Sequence, residues 1–189
     1  MKKLLSLGMA VVLASAASAV TMNWSSASAI KFDGSNLKSD ATVTGYLIAL
    51  DAFATSYDVT ESFSFTDVGT KVDEKNKTSA MSKISKDWEI DTDNYGNGDT
   101  FAVLLKYTGA TDGKTYWNLS SGLVTLTGMA LDPPADADNT SSTFSFGTAA
   151  TEGKLTAGGG WTAAAAVPEP GTAALALLGI GMLIRRRRA

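Results

Sequence analysis

Along TFAVLLKYT, residues 100–108, apolar side chains recur at every second position, so that Phe101, Val103, Leu105 and Tyr107 share one face. Ala102, Leu104 and Lys106 share the other, which is the pattern of a strong, well-buried strand. TVTGYLIAL, residues 42–50, has the same character. The run YWNLSSGLVTLTGMAL continues it from Tyr116, with Ser120-Ser121-Gly122 as a turn or bulge. SFSF at Ser62–Phe65 and TFSF at Thr143–Phe146 alternate polar and aromatic residues. Polar, turn-rich stretches (VGTK, NYGNGD, TGATDGK, DPPADADN) punctuate these runs. One segment departs from period two. Between Ser79 and Ile90, the residues Met81, Ile84 and Trp88 are spaced by three and four, which fits a short amphipathic helix or an irregular crossover. Many short strands joined by polar turns predict an all-β fold, a β-sandwich or jelly-roll-like domain over residues 30–161. Residues 162–167, rich in alanine, read as a linker.

The two ends follow another pattern. Lys2 and Lys3 precede an apolar run, Leu4–Leu13, and then the small-residue triplet Ala17-Ser18-Ala19, the three parts of a secretory signal peptide over residues 1–19. A second triplet, Ala27-Ser28-Ala29, offers an alternative end at residue 29. The first is preferred because it lies nearer the end of the apolar run. At the other terminus Gly171–Ile184 is uncharged and apolar, and stops at Arg185, Arg186, Arg187 and Arg188. As a helix this stretch would span roughly 21 Å against a hydrocarbon core of roughly 30 Å, a short transmembrane anchor. The arginines would stay cytoplasmic and the body outside. Pro168 and Pro170 stop helix from continuing upstream and leave Glu169 in an extended segment, a shape suited to a protease.

Pro168-Glu169-Pro170, an apolar helix and a terminal arginine cluster, over residues 168–189, resemble the PEP-CTERM sorting signal of Gram-negative bacteria. The resemblance implies recognition by an exosortase, a membrane-embedded cysteine protease or transpeptidase, with removal of the tail near the motif. It also implies export by signal peptidase and the secretion machinery, and a mature protein at the cell surface or outside. The family's usual company is extracellular polysaccharide and biofilm matrix, so polysaccharide is an expected partner.

Composition narrows the chemistry. A chain of 189 residues with 44% hydrophobic content suits one domain with a core. It has no Cys and no His, which removes thiolate nucleophiles, Ser-His-Asp triads and His- or Cys-bound zinc. Between Ile30 and Val167 ten lysines face eighteen acidic residues, a net of −8, which disfavours nucleic acid and anionic membrane as partners. Membrane contact is expected only through the C-terminal helix, before processing. In DWEIDTDNYGNGDT, the carboxylates Asp91, Asp93 and Asp99 imitate the start of a calcium loop, but Tyr95 stands at its fifth position and Ala102 at its twelfth. The other account is a hairpin turn using Asn94–Asp99. The loop Asp132–Asn139 is a second, weaker calcium candidate. Trp161, after three glycines, is expected to be exposed and, with Trp117, to stack on a sugar ring. Glu61, Glu74, Glu89 and Glu152 sit in no recognisable catalytic motif. No enzyme and no obligatory cofactor is therefore expected. A carboxylate-dependent glycosidase is the rival to a structural or carbohydrate-interacting matrix protein.

Overall fold

A computed structural model describes residues 21–37, 41–77, 83–127 and 140–166. Within them the secondary structure is strands and one 3-10 turn at Phe65–Asp67, with no α-helix. The largest sheet is built around the strand that the alternation marks most clearly. The early strands are β1 (Thr21–Ser26), β2 (Lys31–Phe32), β3 (Ser35–Asn36), β4 (Thr42–Ala49), β5 (Tyr57–Asp58), β6 (Thr70–Lys77) and β7 (Ser85–Glu89). They are followed by β8 (Thr100–Thr108), β9 (Tyr116–Leu119), β10 (Val124–Thr125), β11 (Thr140–Phe144), β12 (Ala150–Glu152), β13 (Lys154–Leu155) and β14 (Trp161–Ala163).

β8 pairs antiparallel with β4 from Thr42↔Thr108 to Ala49↔Phe101, and with β9 on its other side. The full sheet runs β12-β14-β9-β8-β4-β6, with β10 also on β8. A register shift between Leu47 and Ile48 marks a bulge against β6. A second sheet, β11-β1-β7, has three strands, and two small pairs, β13-β5 and β2-β3, complete the described body.

Period two explains how the core divides. Val43, Leu47, Phe101, Val103, Leu105, Tyr107 and Trp161 project from one face of the large sheet and pack with Met22, Trp24, Ile84, Trp88 and Phe144 of the three-stranded sheet. Tyr46, Ile48, Ala102, Leu104, Trp117 and Leu119 project from the other face and pack with Val59, Phe63, Val68 and Leu155. Each fully buried aliphatic or aromatic side chain contributes about 1.5–3 kcal/mol of transfer free energy. β8 reads as a nearly continuous apolar run because both its faces are covered. Gly45 permits the close approach of the two sheets: a Cβ there would stand 2.6 Å from Ile84 Cδ1 and 3.1 Å from Trp24 Cη2.

Four expectations change. Ile84 and Trp88 lie on or beside a strand, β7, so neither helix nor irregular crossover describes residues 83–90; Met81 lies outside the described residues. The body does not begin at residue 30, because β1 precedes it with Met22 and Trp24 fully buried. Residues 162 and 163 belong to β14 and are buried, so they are not linker. Ser62–Phe65 is not a strand: it leads into the 3-10 turn, whose start is fixed by the Asp67 carboxylate accepting from Ser64 N at 2.7 Å. The signal segment 1–19, the Asp132–Asn139 loop and the apolar stretch Gly171–Ile184 lie outside the described residues. Among the described residues no helix is long and apolar enough to cross a membrane.

Candidate binding cleft and the exit to the tail

The acidic stretch resolves into a crossover between sheets, since β7 belongs to the three-stranded sheet and β8 to the large one. It is not a hairpin turn. Two of its carboxylates, Asp91 and Asp99, brace its own turns. Asp91 Oδ1 accepts from Asp93 N at 3.2 Å, and Asp91 Oδ2 from the Asn94 side-chain amide at 2.6 Å. Asp99 Oδ2 accepts from Gly96 N at 2.7 Å. This is how Asp and Asn stabilise turns in general. Tyr95 packs its ring against Trp88 and Phe101 at 5.5 and 5.7 Å. Burial pushes its phenol above the ordinary range, helped by the charges of Asp91 and Asp99. Among the described residues no group of three or more Asp or Glu is arranged to hold a metal ion.

The tryptophans singled out for sugar stacking are enclosed. Trp161 is fully buried, and its indole N–H donates to Lys31 O at 2.6 Å. Phe32 and Tyr107 crowd its ring at 6.0 and 5.8 Å. The expectation that it is exposed therefore fails. Trp117 is 5% exposed, with Phe63 edge-on at 5.2 Å, Tyr46 stacked at 6.2 Å and the Lys106 ammonium over its ring at 5.4 Å. Lys106 and Trp117 are cross-strand partners on β8 and β9, so sheet register creates this cation–π contact.

Trp117 nevertheless forms part of the wall of a 370 Å³ cleft. Thr60 and Glu61 from the turn after β5, Phe63, Lys106, the Gly113–Thr115 turn and Ala164–Ala166 line the rest. The turn is braced from beneath. Asp112 accepts from Lys114 N at 3.0 Å and from the Tyr116 hydroxyl at 2.7 Å. These donors hold the Asp112 carboxyl below its usual range, the Lys114 amide first and the Tyr116 hydroxyl second. Burial, together with that bond to Asp112, pushes the Tyr116 phenol up to about 12. Lys114 pairs with Glu152 on β12, and their hydrogen bond raises the lysine and lowers the glutamate. Both partners are well exposed, so the pair adds little stability.

Glu61 is the only carboxylate among the residues lining the cleft. Glu74 is engaged by Lys71 at 3.0 Å, and Glu89 is exposed on β7. Sequence reasoning missed Thr60, Glu61 and Lys114 as neighbours, because they come from separate segments that only the fold joins. Lys106 left a signal, a charge on a strand face that otherwise carries Ala102 and Leu104.

Ala164–Ala166 leave the body along this cleft. Only four residues, 164–167, separate the buried end of β14 from Pro168. At full extension the chain therefore reaches roughly 20 Å from Ala163 to Glu169. A core strand runs almost directly into the tail. The residues Pro168, Glu169, Pro170 and Arg185–Arg188 lie outside the described set.

No curated protein and no solved structure is matched by the chain. The family model for the PEP-CTERM protein-sorting motif matches residues 166–188, which span the Pro-Glu-Pro triplet, the apolar stretch and the arginines. The chain thus carries a PEP-CTERM sorting motif at residues 166–188, and that tail marks it as a substrate of exosortase.

Proposed function

We propose that this protein is a non-enzymatic, exosortase-processed component of the cell surface or extracellular matrix, with a β-sandwich body that engages carbohydrate through the cleft beside Lys106 and Trp117. The observation that carries the proposal is the sorting motif, which begins three residues after β14. It sends the folded body outward, and the family's polysaccharide surroundings then supply the natural ligand class. The cleft supports binding in particular ways. Its wall offers the hydroxyls of Thr60 and Thr115, the ammonium groups of Lys106 and Lys114, and one carboxylate. Hydrolysis of a glycosidic bond ordinarily needs two carboxylates flanking it, roughly 5–9.5 Å apart. The single Glu61 favours binding over the glycosidase alternative.

The test uses mature protein from its native cells, titrated with neutral and uronic-acid polysaccharides and followed by calorimetry and reducing-end assay. Saturable binding that weakens in Lys106→Ala and Glu61→Gln, without release of reducing ends, is the expected outcome. Turnover lost in Glu61→Gln would replace the proposal with the glycosidase. An absence of binding to every polymer would leave a purely structural role for the body.

A further inference from the structure

We infer that signal peptidase cuts the Ala19–Val20 bond and spares the second small-residue triplet, Ala27-Ser28-Ala29. Both triplets satisfy the small-side-chain rule, and Ala27–Ala29 is exposed in the folded body. What separates them is the strand between. β1, Thr21–Ser26, is the middle strand of its sheet, parallel to β11 and antiparallel to β7. Met22 and Trp24 on it are fully buried, and Trp24 donates its indole N–H to Asp73 Oδ2 at 2.8 Å. The attachment continues beyond the strand. Ser26 N donates to Ile84 O at 2.9 Å, Ile84 N donates back to Ser26 Oγ at 3.1 Å, and Ala27 N donates to Phe144 O at 2.8 Å.

A cut after Ala29 would remove this strand. Among the described residues β7 and β11 each pair with β1 in this sheet, so both would lose that partner, and Ile84, Trp88 and Phe144 would lose the cover of Met22 and Trp24. A cut after Ala19 leaves β1 whole, with Val20 as its one-residue leader. The step is an ordinary hydrolysis. Water adds its hydroxyl to the Ala19 carbonyl carbon, the C–N bond breaks, and the Val20 nitrogen leaves as an amine carrying the proton.

Spacing adds a constraint on timing. With one residue between the cut and β1, the strand cannot sit in its sheet while Ala19 lies extended in a membrane-bound peptidase. Cleavage therefore precedes docking of β1, and docking then ties the start of the second triplet to the fold through the Ala27 N bond to Phe144 O.

The inference rests on the export reading, and one experiment separates the two. The full-length gene is expressed in its native host, and the mature protein is examined by intact mass and N-terminal sequencing. An N-terminus at Val20 is expected. An N-terminus at Ile30 on folded, surface-localised protein would overturn the inference while leaving export intact. Retention of Met1 would overturn both. Two variants guard against misfolding: Ala29→Phe, at an exposed position, should be processed as wild type, whereas Ala19→Phe should accumulate precursor. The opposite pattern would assign the cut to Ala29.

Discussion

β1 and β14, the first and last strands of the described body, occupy matching positions and are held by different means. Each is an internal strand, with one parallel and one antiparallel neighbour. Each carries a fully buried tryptophan whose indole N–H finds an acceptor. On β1 that acceptor is a carboxylate, Asp73, which is itself bridged by Lys86 of β7. On β14 it is a backbone carbonyl, Lys31 O. Burial also differs: β1 alternates between buried and half-buried positions, while all three residues of β14 are buried. The N-terminal strand thus depends on a side chain that a point mutation can delete. The C-terminal strand depends on main chain and on packing from both faces.

The largest effects should come from removing the anchors. Trp24→Ala and Trp161→Ala should each cost about 3–5 kcal/mol in urea unfolding, a large fraction of the stability of a domain this size. A loss below 1 kcal/mol at either position would show that its strand is dispensable. The comparison sharpens with Asp73→Ala, which strands the buried Trp24 N–H and should cost about 1–3 kcal/mol. No side-chain deletion can do the same to Trp161. Equal tolerance of Asp73→Ala and of a surface control would erase the contrast.

Alkaline pH should act on the other strand. Tyr116 pairs in register with Ala163 of β14, and its phenol is pushed from 10.0 up to about 12. A raised phenol means that the fold prefers the neutral form. Its contribution is full below pH 10, the unfolded value, and is lost as pH rises toward the folded one. We expect a decline of about 1–2 kcal/mol over that window, less than the full shift implies because the hydroxyl meets the exposed Asp112. Tyr116→Phe should flatten that limb of the stability curve. An alkaline limb unchanged in Tyr116→Phe would assign the effect to Tyr46 or Tyr95, whose phenols are also raised.

The smallest effect is expected at the crossover leading from β7. Millimolar calcium should leave the melting temperature unchanged, and Asp93→Ala should stay within about 0.5 kcal/mol of wild type. A calcium-dependent rise that Asp93→Ala removes would assign a metal site to this loop.

The legible parts of the fold were those in which neighbouring residues do the same job. β4 and β8 are read almost to the residue because strands covered on both faces carry apolar side chains in nearly unbroken runs. The sorting tail is read because its triplet, apolar stretch and arginines are contiguous. β7 misleads because Lys86 lies on the inner side between Ile84 and Trp88, reaching Asp73, so its apolar positions imitate a helical spacing. Trp161 misleads for a different reason. The glycines before it suggest looseness, yet Gly160 has φ 104° and a Cβ there would collide with Ala149 O. They mark a tight crossing of backbones. β1 hides inside TMNWSSASA, whose small residues look like a cleavage zone. The cleft was out of reach, since it takes one to three residues from each of several distant segments.

The direct passage from β14 into the tail also has a mechanical meaning. A body held at its C-terminal end while surrounding polymer drags on it receives the load through Ala164 into a strand bonded on both sides. Force along that axis lies across the ladder bonds to β9 and β12, so they resist together in shear instead of opening one after another. A pulling experiment with one handle at residue 166 and the other at residue 20 should give a single abrupt rupture. A gradual low-force peel would mean that β14 unzips from its end. Three residues of strand are thus the first element to take any force that enters the body from its tail end.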